Sequence, residues 1–228
     1  MTPWPLALLL VIPLTTGVGW EVLRYRGIPP HVVDFGAEGL RVEVNASAAP
    51  LVYPLDSPRW VRGLRAEGRV VGALRTDARR QGERGADDYA LRVGLVEVGT
   101  RRPGWLERKV APAWVQRLFA LAPPDLGIAG IRFFNVAVSP SQIGQSRQHP
   151  ASALISERVV AAPNANGGFT ITVDLDAPLE TAAVWISVDG DDTRSRYTLA
   201  LARLELRLEV PPAGDRARQV RSAPGGDR

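Results

Sequence analysis

FTITVDLD, residues 169–176, puts Phe169, Ile171, Val173 and Leu175 on one side of an extended chain and Thr170, Thr172, Asp174 and Asp176 on the other. Successive side chains of a strand point to opposite faces, so this alternation predicts a β-strand with one face buried. The same period recurs on both sides of it. Leu40, Val42 and Val44 alternate with Arg41, Glu43 and Asn45, and Ala202, Leu204, Leu206, Leu208 and Val210 alternate with Arg203, Glu205, Arg207 and Glu209. Shorter candidates are 60–65, where Trp60, Arg62 and Leu64 share a face, then 69–75, 89–98, 128–138, 153–160 and 182–188. Polar, Gly-bearing stretches separate them at 76–87 and 139–150. Many strands with turns between them and no strand–helix–strand rhythm predict an antiparallel β-sandwich. The outer alternating strands, 40–45 and 202–210, are expected to pair.

One segment breaks the pattern. Between Thr100 and Pro124, Trp114, Leu118 and Leu121 recur at helical spacing, with Pro112 before them and Pro123–Pro124 after. An insert at 100–124 with one short helix is expected. Trp105, Leu106, Trp114, Leu118 and Phe119 accompany Arg108, Lys109 and Arg117 there, a mixture that suits either membrane or partner contact or a cap on the core.

The chain opens without a charged side chain from Met1 to Trp20. Twenty helical residues span about 30 Å, the thickness of a bilayer core. A transmembrane anchor over residues 4–23 is therefore expected within an N-terminal unit 1–26, with Trp4 and Trp20 as interfacial residues. A cleaved signal peptide ending near Gly17–Gly19 is the alternative. Arg24 and Arg26 follow the span and by the positive-inside rule would hold the domain in the cytoplasm. Residues 27–210 form the sandwich domain, and the Pro-, Gly- and Arg-rich 211–228 reads as a disordered tail.

Composition excludes several classes. Of 228 residues, 45% are hydrophobic and 23% charged, as in a globular chain. With no cysteine there is no disulfide, thiolate metal site or cysteine nucleophile. Two histidines exclude a His-rich metal cluster. The net charge of +4 comes from arginines spread along the whole chain, so no nucleic-acid partner is expected.

The strand opening Asp87-Asp88-Tyr89-Ala90-Leu91-Arg92-Val93 and the later Trp185-Ile186-Ser187-Val188-Asp189-Gly190-Asp191-Asp192-Thr193 resemble a bacterial domain-of-unknown-function family of exported β-sandwich proteins. Phe133-Phe134-Asn135-Val136 lies where that family has an aromatic strand. The resemblance implies a jelly-roll similar to carbohydrate-binding modules, outside the bacterial cytoplasmic membrane in the periplasm, against the local charge bias. It implies no catalytic residues.

The candidate sites follow from both readings. Trp60, Phe133, Phe134 and Trp185 are candidate glycan-binding aromatics. Asp87, Asp88 and Arg92 form a candidate structural ion-pair network, since an inward arginine needs a carboxylate, and Asp88 or the acids at 189–192 would serve. Asp189, Asp191 and Asp192 are candidate Ca²⁺ ligands, or simply the polar residues of a turn. His149 with Ser139, Ser141, Ser146 and Asp125 lacks the Gly-x-Ser-x-Gly elbow of a hydrolase and reads as coincidence. The expectation is a membrane-tethered, non-catalytic binding domain without a cofactor. The alternatives are an accessory subunit of a membrane complex and, last, a hydrolase built on paired carboxylates.

Overall fold

The computed structural model of the chain describes residues 8–77, 80–150 and 152–210. The expected tail, 211–228, lies outside the described residues. The strands are β1 (Leu8–Val11), β2 (Glu21–Val22), β3 (Val32–Gly36), β4 (Gly39–Asn45), β5 (Leu51–Ala73), β6 (Leu91–Gly99), β7 (Gly127–Val136), β8 (Ser146–Gln148), β9 (Ile155–Ala161), β10 (Gly168–Ser187) and β11 (Arg196–Leu208). Between β6 and β7 run two short helices, α1 (Trp105–Val110) and α2 (Ala113–Ala120). The insert thus holds two helices where one was expected. Pro112 is the residue that both ends the first and starts the second.

Hydrogen bonding joins the strands in the order β3-β4-β11-β5-β10-β6-β7-β9-β8, with β1 on β11 and β2 on β5. The sheet curls into a mostly β, sandwich-like body. Every pair is antiparallel except β7 with β9, which run parallel. β4 does pair with β11, but Leu40–Asn45 lies against Arg196–Leu201, and the stretch expected to meet it pairs instead with β5 and β1.

Two pairs of short expected strands are each one long strand. β5 runs through the stretch between 60–65 and 69–75, and β10 joins 169–176 to 182–188. The cause is a bulge. Between Asp174 and Leu179 β10 advances past only Gly63 and Val61 of β5, so Leu175–Pro178 is looped out and Pro178 donates nothing to a ladder. A second bulge between Leu201 and Arg203 shifts the phase of β11. Tyr197, Leu199 and Leu201 are buried before it, Leu204 and Leu206 after it, and Ala202 is exposed.

The membrane anchor is corrected by the structure. Among the described residues no helix is long and apolar enough to cross a membrane. Leu8–Val11 is a strand paired with Glu205–Leu208, and the Ile12 amide donates to the Leu204 carbonyl at 2.9 Å. Trp20 is buried against Phe35 and Tyr53, and its indole N–H donates to the Pro13 carbonyl at 2.6 Å. Apolar content was real, but it serves the sandwich: Ile12, Leu14 and Trp20 belong to the main core. Pro13, which would kink a helix, suits the extended stretch that follows β1.

Two apolar clusters lie on opposite faces of the central strands. Leu64, Leu91, Val93, Phe134, Ile171, Ile186, Leu199 and Leu204 belong to the main one. Val96, Ile131, Phe133 and Trp185 form the second with Leu118 and Phe119 of α2. Truncating Ile12 should test the corrected N-terminus. Ile12→Ala should lower the unfolding free energy by about 2–5 kcal/mol, the usual cost of a buried Ile→Ala change. Urea denaturation reads this directly; a segment held in lipid would leave the domain's midpoint unmoved.

Candidate functional site

The site begins with strand register. Gly94 of β6 sits opposite Trp185 of β10 on one side and Phe133 of β7 on the other. All three face the second cluster, and Gly94 contributes no side chain. A Cβ there would stand 2.7 Å from atoms of Ile131 and Phe133. The missing side chain leaves room for the Ile131 and Phe133 side chains to lie across β6, next to Trp185. Alternation then carries Ser187 and Asp189 along the same face beyond Trp185.

This floor lies in a cleft of about 240 Å³. Trp114 of α2 and Ile155 of β9 add apolar wall, and Tyr25 and Ile28 enter from the N-terminal segment. The polar wall holds Asp87, Asp88, Arg92, His149, Asp189, Asp191 and Asp192. Glu21 grips Arg117 of α2 through contacts of 2.5 and 2.6 Å, so the N-terminal segment also steadies the helix that carries Trp114.

Arg92 is the buried centre of the polar wall. It is only 5% exposed, and a guanidinium out of water must be paired. Its Nε donates to Glu157 Oε1 at 2.9 Å, its Nη1 to Asp189, and its Nη2 lies 3.1 Å from Asp87 Oδ1. The Tyr89 ring lies 4.7 Å beneath it. Arg147 bridges Asp87 and Glu157 at 2.5 Å each, and His149 Nε2 is 2.7 Å from Asp87 Oδ2. Asp88 stands apart from Arg92. Its Oδ2 accepts from the backbone and hydroxyl of Thr193, at 2.8 and 2.5 Å, and so clamps the strand opening to the 189–193 turn.

The carboxyls split by environment. Burial opposes the ionisation of Asp87, but His149, Arg92 and Arg147 outweigh it and hold its pKa down to about 2. Asp88 is pushed up, first by burial and then by the charge of Asp192. Asp191 is likewise pushed up by burial and by the charges of Asp88 and Asp192. Tyr25 is raised to about 12, chiefly by burial.

The sequence-predicted residues separate cleanly. Phe133 and Trp185 line the cleft, whereas Phe134, one residue along the strand, belongs to the main core and lies outside the cleft. Trp60 lies in the middle of β5 opposite Glu180, outside the cleft. Of the insert residues, Leu118 and Phe119 are buried in the second cluster and correct the expectation of a partner contact; helical spacing turned them inward. Trp114 joins the cleft, and Trp105 is 68% exposed with Lys109 over its ring at 5.0 Å. Asp189, Asp191 and Asp192 all reach the cleft, but the Asp189 oxygens already accept from Arg92 and Ser187. The metal-type ligand atoms that gather within 4.8 Å of one another are those of Asp87, His149 and Glu157, and two guanidiniums already serve those carboxylates.

Sequence reading missed Glu157 and Arg147 and set His149 aside as coincidence. Glu157 had a signal: it shares the inward phase of β9 with Val159 and Ala161. His149 had none, since it reaches Asp87 from the long connection that the parallel β7–β9 pair requires. Ser139 and Ser141 bond each other in a separate turn.

The network sets the acid limb of stability. Asp87 has its folded pKa below the ordinary 3.8, so its contribution is present above that value and is lost as pH falls toward about 2. Denaturation at a series of pH values should show Asp87→Asn clearly less stable than the unaltered protein at pH 7. The two should converge near the acid end, and a gap that does not narrow would refute the assignment.

No protein-family model matches the chain, and no curated protein matches it. Among solved structures it is similar to the xylan-binding module CBM15, with a TM-score of 0.40 and 11% identity over 90% of this chain and 99% of that one. It is also similar to the Crh5 transglycosylase in complex with NAG, with a TM-score of 0.42 and 9% identity over 89% and 85%. A xylanase from Cellvibrio japonicus in complex with xylopentaose gives 0.33 and 11% over 88% and 29%. At these scores the likeness establishes neither ligand nor activity.

Proposed function

We propose that the chain is a non-catalytic binding domain whose cleft takes a single polyhydroxylated ring, a sugar or a sugar-like ligand. One observation carries this reading: the apolar side chains Trp114, Ile131, Phe133 and Trp185 and the carboxylates Asp191 and Asp192 face the same cleft of about 240 Å³. A sugar ring has an apolar C–H face and an edge of hydroxyls. Aromatic surface suits the face, and carboxylate oxygens accept from the hydroxyls. The volume falls just under the ~300–1,000 Å³ of pockets for drug-sized ligands, which favours one ring over a long chain segment. No membrane tether forms part of this reading.

A hydrolase is the second reading, and one observation favours it. Asp87 is held ionised while Asp88 and Asp191 are pushed up, the division of labour that acid–base catalysis uses. Against it, Asp87 is spent on Arg92, Arg147 and His149.

Titration of intrinsic tryptophan fluorescence with a panel of neutral and amino monosaccharides and disaccharides tests the proposal, with sugar release assayed alongside. At least one ring should bind without turnover. Trp114→Ala, at a half-exposed position, should weaken it by about tenfold, or 1.4 kcal/mol. A panel in which no sugar binds would overturn the proposal, and released product would favour the hydrolase.

A further inference from the structure

The cleft's charge is lopsided for a chain that is basic overall. Five of its lining residues are aspartates, against one arginine and one histidine. Arg92 and Arg147 are shared among Asp87, Asp189 and Glu157, so two guanidiniums already face three carboxylates. His149 also turns to Asp87. Asp88 accepts from Thr193. What remains is Asp191 and Asp192. Among the described residues, Asp192 accepts the Asp87 backbone N–H at 3.3 Å, neither carboxylate is held in an ion pair, and Arg92 acts on Asp191 only at longer range.

A second observation is independent of the acids. The same volume has the aromatic and aliphatic floor set by Gly94, with Trp114 beside it. A bare metal ion has no use for such a floor. Ca²⁺ asks for six to eight oxygens, and both Asp189 oxygens are already engaged by Arg92 and Ser187. An organic cation uses both walls, because an ammonium is attracted to carboxylates and to the face of a tryptophan.

We infer that the ligand of this cleft is an amine-bearing ring, an amino sugar or an equivalent cyclic amine, with its ring on the Trp114, Phe133 and Trp185 side and its ammonium against Asp191 and Asp192. This rests on the sugar-binding reading above and narrows it. The amine must be free: acylation would remove the charge and leave two carboxylates facing an uncharged group. Asp191, faced by Asp88, Asp192, Arg92 and Tyr25, is pushed up in the free protein. A bound ammonium would favour its ionised form, so affinity should rise with pH through the titration of Asp191.

Titrations of the full chain with D-glucosamine, D-glucose, N-acetyl-D-glucosamine and calcium chloride test this. Glucosamine should bind about tenfold tighter than the two neutral sugars at pH 7, and that margin should shrink as sodium chloride is raised. Asp191→Asn and Asp192→Asn should each reduce the margin, and together abolish it, because glucosamine loses more affinity than the neutral sugars do. Both positions lie on the partly exposed turn, and Asp191→Asn relieves like-charge crowding, so the variants should fold; the salt dependence needs no variant. Equal affinity for glucosamine and glucose would overturn this inference and leave the sugar-binding reading standing. Absence of binding by every sugar would sink both. Calcium that displaces glucosamine, or a margin that survives the double substitution, would also overturn it.

Discussion

Arg92 is the constraint on which the rest of the molecule turns. A guanidinium removed from water costs several kcal/mol unless its donors are met by acceptors, and removing a partner from such a pair costs about 3–5 kcal/mol. Its acceptors come from three distant places: Asp87 just before β6, Glu157 in β9 and Asp189 just after β10. Meeting all three requires β10, β6, β7 and β9 to lie side by side in that order, which is the order observed. The ion network therefore helps select one arrangement of strands, and it consumes the carboxylates a metal would otherwise use.

The cleft is a by-product of the same register. Arg92 and Gly94 are two residues apart on one strand and so face the same side. One supplies the buried charge and the other supplies the gap. The strand-to-strand pairing that puts Ser187 and Asn135 beside Arg92 also puts Trp185 and Phe133 beside Gly94. Polar and apolar walls thus meet along one strand face. The turn at 189–193 closes the polar end, tied to the strand opening by Asp88 and Thr193.

The strands were largely legible, because alternation at 40–45, 169–176 and 204–208 is a direct consequence of one-sided burial. Bulges were not. Nothing in a two-residue period announces that Leu175–Pro178 is looped out or that β5 continues through the charged stretch from Arg65 to Arg69. The apolar opening misled for a simple reason: hydrophobic content alone does not distinguish lipid from a protein core, and only the partners of Ile12 and Trp20 decide between them. In the site, the motifs around 87–92 and 185–192 were readable as charge and aromatic clusters. The meeting of Arg92 with an acid of 189–192 followed from its need for a carboxylate, and Asp189 fills that role. That Phe133 and Trp114 share one cleft with them was not readable, since it depends on pairing between residues far apart in the chain. Consecutive Phe133 and Phe134 could have been separated from the start, because neighbours on a strand cannot share a face.

The dependence of α2 on Glu21 carries a practical lesson for anyone expressing this protein. Leu40 begins the first strand with clean alternation and would be a natural place to start a shortened clone. Such a product would keep most of the sheet and its central arginine, yet it would lack Tyr25, Ile28 and the carboxylate that anchors the helix bearing Trp114. Recombinant material could then pass every check of secondary structure while presenting only part of the recess it was made to study.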